Sequence, residues 1–301
     1  MKTGLRVRGY LGVSAFLALW VASSGAQSLP ARRVKTFVSI LPQAYFVERV
    51  GGPQVSVEVL VTPGQSHETY EPTPKQMAAL SEADVYFRIG LPFETQLIEK
   101  ITAANSRLRV IDMREGIHLR PMDEGDAHER GGAPDPHIWL APQLVKTQAE
   151  HIARTLGEFD PAHAPIFQQN LFAFQCDLNR VDSTIADVLA PLRGRKFYVF
   201  HPAYGYFADA YGLKQVAVET GGKEPSARQI AELIDQARQD SVRVVFVQPQ
   251  FATNSAQKIA EAIGGAVVPL DPLARDYLDN LEQMAHEIKR ALSQNAAGKR
   301  P

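Results

Sequence analysis

The chain has 301 residues with 32 Lys+Arg against 33 Asp+Glu, a single cysteine and a formal net charge of −1. That balance excludes the basic surface needed to neutralise nucleic-acid phosphates, and one thiol excludes an internal disulfide. The length allows one or two domains, each burying a large core.

Lys2, Arg6 and Arg8 precede an apolar run at 10–22, and the small residues Ser24 and Ala26 follow it. This is the pattern of a secretory leader at 1–26, cleaved after Ala26; the run is shorter than the ~20 residues that cross a bilayer. No cysteine follows it, so no lipid attachment is indicated. Removing three basic and no acidic residues leaves 29 against 33, net −4. An exported, mildly acidic chain without nucleic-acid partners is expected.

From there, short β-branched runs alternate with helical patterns. Strands are predicted at 34–40, 55–61, 85–89 and 108–111, with helices at 43–50, 74–82 and 93–101 between them. Residues 115–137 are polar, rich in Gly and Pro, and carry His118 and His128. They read as a solvated loop, with transient metal collection as the sharper alternative. Helical patterns then occupy 142–159 and, after Asp160-Pro161, 163–189, where apolar residues recur at steps of three and four. A helix that long runs roughly 40 Å, enough to span a domain. Cys176, in an apolar stretch of that helix, is expected to be a buried, inert thiol.

The alternation then resumes, with strands at 197–200, 215–218, 242–247 and 266–270 and helices starting near Ala203, Ser226, Asn254 and Tyr277. The fold class is therefore α/β: two lobes, each with a parallel four-stranded sheet flanked by helices, joined by a long backbone helix. The expected domains are an N-terminal lobe at 27–141, connecting helices at 142–190 and a C-terminal lobe at 191–301.

Open α/β sheets bind ligands beyond the carboxyl ends of their strands. His201 and Asp271 each directly follow a predicted strand, His67-Glu68 lies just past the turn after the second strand, and His137 ends the polar loop. Two of these come from each half, so they meet only across a cleft between lobes. Three imidazoles with one carboxylate make a four-coordinate set that suits zinc. His151, His163 and His286 lie in or beside helices and read as surface or packing residues. Trp139, Tyr204, Tyr206, Phe207 and Tyr211 read as cleft wall and core, and Ser226 as a helix cap.

Several motifs also resemble one family. They are Gly64-Gln65-Ser66-His67-Glu68-Thr69-Tyr70-Glu71-Pro72, Asp135-Pro136-His137-Ile138-Trp139-Leu140, His201-Pro202-Ala203-Tyr204-Gly205-Tyr206-Phe207, Glu224-Pro225-Ser226-Ala227 and Leu270-Asp271-Pro272-Leu273. In this order, over 34–292, they resemble the periplasmic solute-binding proteins of zinc and manganese ABC importers, on the zinc-uptake side. The resemblance implies a monomer in the periplasm that captures a divalent metal and passes it to an inner-membrane ABC permease without turnover. It implies His67, His137, His201 and Asp271 as ligands. The family's first histidine aligns with Glu68, so His67 and Glu68 compete for that position. Imidazole at His201 favours Zn2+ over Mn2+ or Fe2+. A secreted metal-dependent hydrolase, with Glu68 as base, and an adhesin are the alternatives from other classes.

Overall fold

The computed structural model describes Met1, Gly4 and residues 32–123, 133–219, 224–251 and 254–297. The leader and its cleavage site, His128 and Gly221-Gly222 lie outside the described residues. Among those described, no helix is long and apolar enough to cross a membrane.

The first lobe contains β1 (Val34–Val38), α1 (Leu41–Gly51), β2 (Val55–Val59), α2 (Pro74–Leu80), β3 (Val85–Arg88), α3 (Glu94–Ala104) and β4 (Arg109–Asp112). Its sheet is parallel, in the order β2-β1-β3-β4. After α4 (Pro142–Phe159) and α5 (Ala164–Leu189) come β5 (Lys196–Val199), α6 (Gly205–Tyr211), β6 (Lys214–Ala217), α7 (Ala227–Gln239), β7 (Val244–Val247), α8 (Asn254–Ala262), β8 (Ala266–Pro269) and α9 (Tyr277–Ala297). The second sheet is also parallel, in the equivalent order β6-β5-β7-β8. The expected elements are all present, most of them a residue or two shorter or shifted.

In both sheets the chain reverses direction of winding beside its first strand, and ligands of open α/β sheets gather beyond that point. The inner strands β3 and β7 are buried along almost their whole length, as in a parallel sheet covered on both faces.

α5 buries one stripe, Phe167, Leu171, Phe174, Leu178, Val181, Ile185 and Leu189. It is tied to α1 by Arg49–Asp177 at 2.6 Å and by Asn170 Nδ2 on the Val50 carbonyl. Tyr211 Oη of α6 donates to Asp182 at 2.9 Å, and Arg180 pairs with Glu282 of α9. One hydrophobic core therefore runs from the first sheet through α5 into the second lobe. Cys176 corrects the expectation: it is exposed. It lies two residues past Phe174, about 200° round the helix, on the face opposite the buried stripe.

Candidate metal centre

His67 reaches the seam on the loop between β2 and α2. That loop turns at Thr62-Pro63-Gly64-Gln65, closed by the Gln65 N–H on the Thr62 carbonyl at 3.1 Å. Pro second and Gly third, with Gly64 at φ 82°, is the pattern of a type II turn, where a side chain would be strained. At its far end Gln76 of α2 accepts from Tyr70 Oη and donates to the Leu60 carbonyl, both at 2.8 Å. Both ends of the loop are thus pinned.

His137 precedes a single 3-10 turn, Ile138–Leu140, leading into α4. His201 follows β5 with its backbone clamped by Gln248, at the end of β7. The Gln248 Oε1 accepts from the His201 N–H at 3.1 Å, and its Nε2 donates to the His201 carbonyl at 2.7 Å. Phe251 stacks on the His201 ring, with centroids 4.8 Å apart and planes 18° from parallel.

These elements bring three imidazoles together. His67 Nε2 lies 3.0 Å from His137 Nε2, and His201 Nε2 lies 3.3 Å from it. Glu68 Oε1 stands 3.3 Å from His67 Nε2 and 3.7 Å from His201 Nε2. The donor atoms of His67, Glu68, His137 and His201 all lie within 4.8 Å of one another. A tetrahedron with metal–nitrogen bonds of about 2.0–2.1 Å has edges of about 3.3 Å. The imidazole spacings fit that figure. All three rings are buried, while the Glu68 side chain keeps 21% of its surface open.

Two outer carboxylates hold ring nitrogens. Asp135 Oδ1 sits 2.7 Å from His137 Nδ1 and also accepts from the His137 N–H at 2.9 Å. Arg120 contacts the other Asp135 oxygen at 3.2 Å and pairs with Asp123 and Asp209. Glu219 Oε1, from the end of β6, lies 2.5 Å from His201 Nδ1. His67 Nδ1 is buried without a partner. With the proton on Nδ1, each anchored ring points its Nε2 lone pair at the centre.

Burial, then the neighbouring His137, pushes the His67 imidazole below its usual range, against the opposing pull of Glu68. Burial and the two other rings push His201 well below its usual value. Burial would raise Glu68, yet its hydrogen bond to His67 and the charges of His67 and His137 hold it below the usual carboxylate value. Glu219 is pushed up to about 8 by burial and by the charges of Glu68 and Glu224. Neutral rings and an ionised Glu68 are the forms that ligate a metal.

Asp271 stands outside this cluster. Its Oδ1 accepts from Gln250 Nε2 at 2.7 Å and from the Leu273 N–H at 2.9 Å. An aspartate bonding the N–H two residues on makes an Asx turn, so Oδ1 is engaged in shaping the chain after β8. Glu68 is the carboxylate that lies within 4.8 Å of the three rings, so His67 and Glu68 both face the centre. Asp135 and Glu219 escaped the sequence reading as partners of the rings. The spacing Asp135-x-His137 could have signalled the first; Glu219 carried only its place after a strand.

The aromatic expectations hold. Trp139 packs 5.0 Å from the His137 ring and 5.9 Å from the His67 ring, and its indole donates to the Pro272 carbonyl at 2.8 Å. Tyr204, Tyr206, Phe207 and Tyr211 are buried. Ser226 caps α7 by accepting from the Gln229 N–H. His151 is buried against the Glu115 carbonyl, His163 pairs with Asp160, and His286 is exposed.

The model of the family "Zinc-uptake complex component A periplasmic" matches residues 37–291. The "High-affinity zinc uptake system protein ZnuA" of Brucella suis is 28% identical over 93% of this chain and 97% of its own length. The "Zinc-binding lipoprotein AdcA" of Streptococcus pneumoniae is 26% identical over 93% of this chain, which spans only 56% of that protein's length. A solved structure described as "Crystal structure of ZnuA" superposes with a TM-score of 0.81 at 44% identity, covering 86% of this chain and 99% of that one. A ZnuA lacking its residues 138–173, with zinc bound, is 45% identical at the same TM-score and covers 86% of this chain and 98% of its own. With the family model spanning most of the chain and two lobes superposing on those structures, this chain belongs to the family of periplasmic A components of zinc-uptake complexes.

Proposed function

We propose that the protein captures one Zn2+ in the periplasm between its lobes and delivers it to the permease of an ABC importer, without chemical turnover. It is exported as a monomer after loss of residues 1–26. The observation that carries this reading is the convergence of three buried imidazole Nε2 atoms at 3.0 and 3.3 Å, tetrahedral spacing for a zinc–nitrogen site. Three nitrogen donors favour zinc over Mn2+ or Fe2+, which take harder, oxygen-rich sets. The ligands in this reading are His67, His137, His201 and the Glu68 carboxylate. Asp271 is not among the side chains gathered at the centre and would serve as the fourth only after moving toward it.

The test is metal binding by the purified protein. Of the two tryptophans, Trp20 falls in the leader and Trp139 lies against two ligand rings, so its fluorescence reports the site. One equivalent of zinc should bind, and His137→Ala or His201→Ala should each weaken it by more than about 100-fold, beyond the effect of outer partners. Wild-type affinity in both variants would refute the site. Glu68→Ala should cost more affinity than Asp271→Ala; the reverse order would make Asp271 the carboxylate ligand.

A further inference from the structure

We propose that Glu219, at the end of β6, is a positioning residue for metal capture, holding the His201 ring through Nδ1 so that Nε2 faces the ion. The inference rests on the zinc-capture reading and adds to it a residue from the segment after β6, which supplies no ligand.

His201 is fixed in three ways. Gln248 clamps its backbone from both sides, which sets where the side chain starts. Phe251 stacks on its face, which sets the plane of the ring. Neither contact opposes a half-turn about the Cβ–Cγ bond, which keeps the ring plane but exchanges Nε2 with a carbon and turns the donor away from the centre. Outside the ligand cluster itself, the contact of Nδ1 with Glu219 Oε1 at 2.5 Å is what distinguishes the two ring orientations. The same contact selects the form with its proton on Nδ1 and a free lone pair on Nε2 once a metal is bound.

The burial of Glu219 is costly unless something repays it. The residue is 3% exposed, and among the described residues no lysine or arginine forms an ion pair with it. Asp135 holds His137 in the same way but has Arg120 across from it. A buried carboxyl group set against an imidazole gains from ionising when a divalent ion sits on the far side of that imidazole. That is the behaviour of a group retained for binding.

Zinc affinity, measured by competition with a chromophoric chelator, tests this on the wild type, Glu219→Ala, Glu219→Gln, His201→Ala and the double variant Glu219→Ala/His201→Ala. Glu219→Ala should weaken zinc by about 10- to 100-fold. Glu219→Gln, which keeps an oxygen for Nδ1, should recover at least half of that loss on a logarithmic scale. In the His201→Ala background, Glu219→Ala should change affinity by less than about threefold, because a residue acting through His201 has nothing left to orient. The proposal is overturned if Glu219→Ala alone changes affinity by less than about threefold, if Gln is as weak as Ala, or if the two losses add. A wild type that fails to bind zinc refutes the capture reading itself; normal wild-type binding with additive losses refutes only the role of Glu219.

Discussion

A zinc ion arriving at the seam competes with protons for the same nitrogens, and the buried charges set how many must leave. In the metal-free protein at pH 7, His201 is neutral because burial and its two ring neighbours depress it, while Glu219, raised to about 8, keeps its proton. The pair then holds one proton on the ring and one on the carboxyl. Binding through Nε2 leaves a single proton, on Nδ1 beside an ionised Glu219, so one proton is released. The sign follows: a group raised to about 8 in the empty site is protonated below that pH, so zinc affinity rises with pH up to about 8 and then levels. Calorimetry in buffers of different ionisation heat should find about one proton released at pH 7 and almost none above about pH 9. Glu219→Gln should abolish that release, and an unchanged count in the variant would place the proton elsewhere. Much of this site is legible in the sequence, since His137 and His201 sit where a loop or strand delivers them. What the sequence hides is which carboxylate turns inward. Glu68 is adjacent to His67 on a loop with no side-chain periodicity, and Asp271 has an equivalent place after a strand but spends its oxygen on the Leu273 N–H.

At the level of elements, periodicity does most of the work. Alternating β-branched runs and three-and-four spacings place the strands and helices, and the capping residue Ser226 marks a start that the structure keeps. Periodicity fails where an apolar stretch is continuous. Phe172-Ala173-Phe174-Gln175-Cys176 offers several faces to the core, and the helix can bury only one. Phe174 goes inward, while Phe172 is 70% exposed and Cys176 is also outside. Two substitutions in α5 separate these faces. Leu178→Ala, at a fully buried position, should cost about 2–5 kcal/mol in urea unfolding, from lost burial and the cavity left behind. Cys176→Ser should stay within about 0.5 kcal/mol of wild type. A large loss from Cys176→Ser would mean that this face of α5 is covered. At Gly205, the first residue of α6, an added Cβ would collide with the Arg120 guanidinium that faces Asp135. Gly205→Ala should therefore displace Arg120 and weaken zinc, and an unchanged affinity would detach Arg120 from the site.

At the scale of the whole molecule, the proposed ligands divide between the two lobes while the core and α5 bind those lobes into one body. His67 and Glu68 hang from the loop after β2, and His201 extends from β5, with His137 at the start of the connecting helices. An ion gripped by all four is a bond between lobes made only in the folded state. Any ligand of the folded form alone stabilises by mass action, by about 2.7 kcal/mol at a free concentration 100 times the dissociation constant. For a chain of this size each kcal/mol moves the melting midpoint by about 2–4 °C, so saturating zinc should raise it by about 5–10 °C. The rise should reverse on adding a chelator and shrink in His201→Ala, where one lobe loses its donor. A variant cut on the first-lobe side, His67→Ala, should lose it to a similar degree, because removing either side breaks the same bridge. If His67→Ala kept the full rise while His201→Ala lost it, His67 would have no part in retaining the ion, and the loop after β2 would hold it through Glu68 at most.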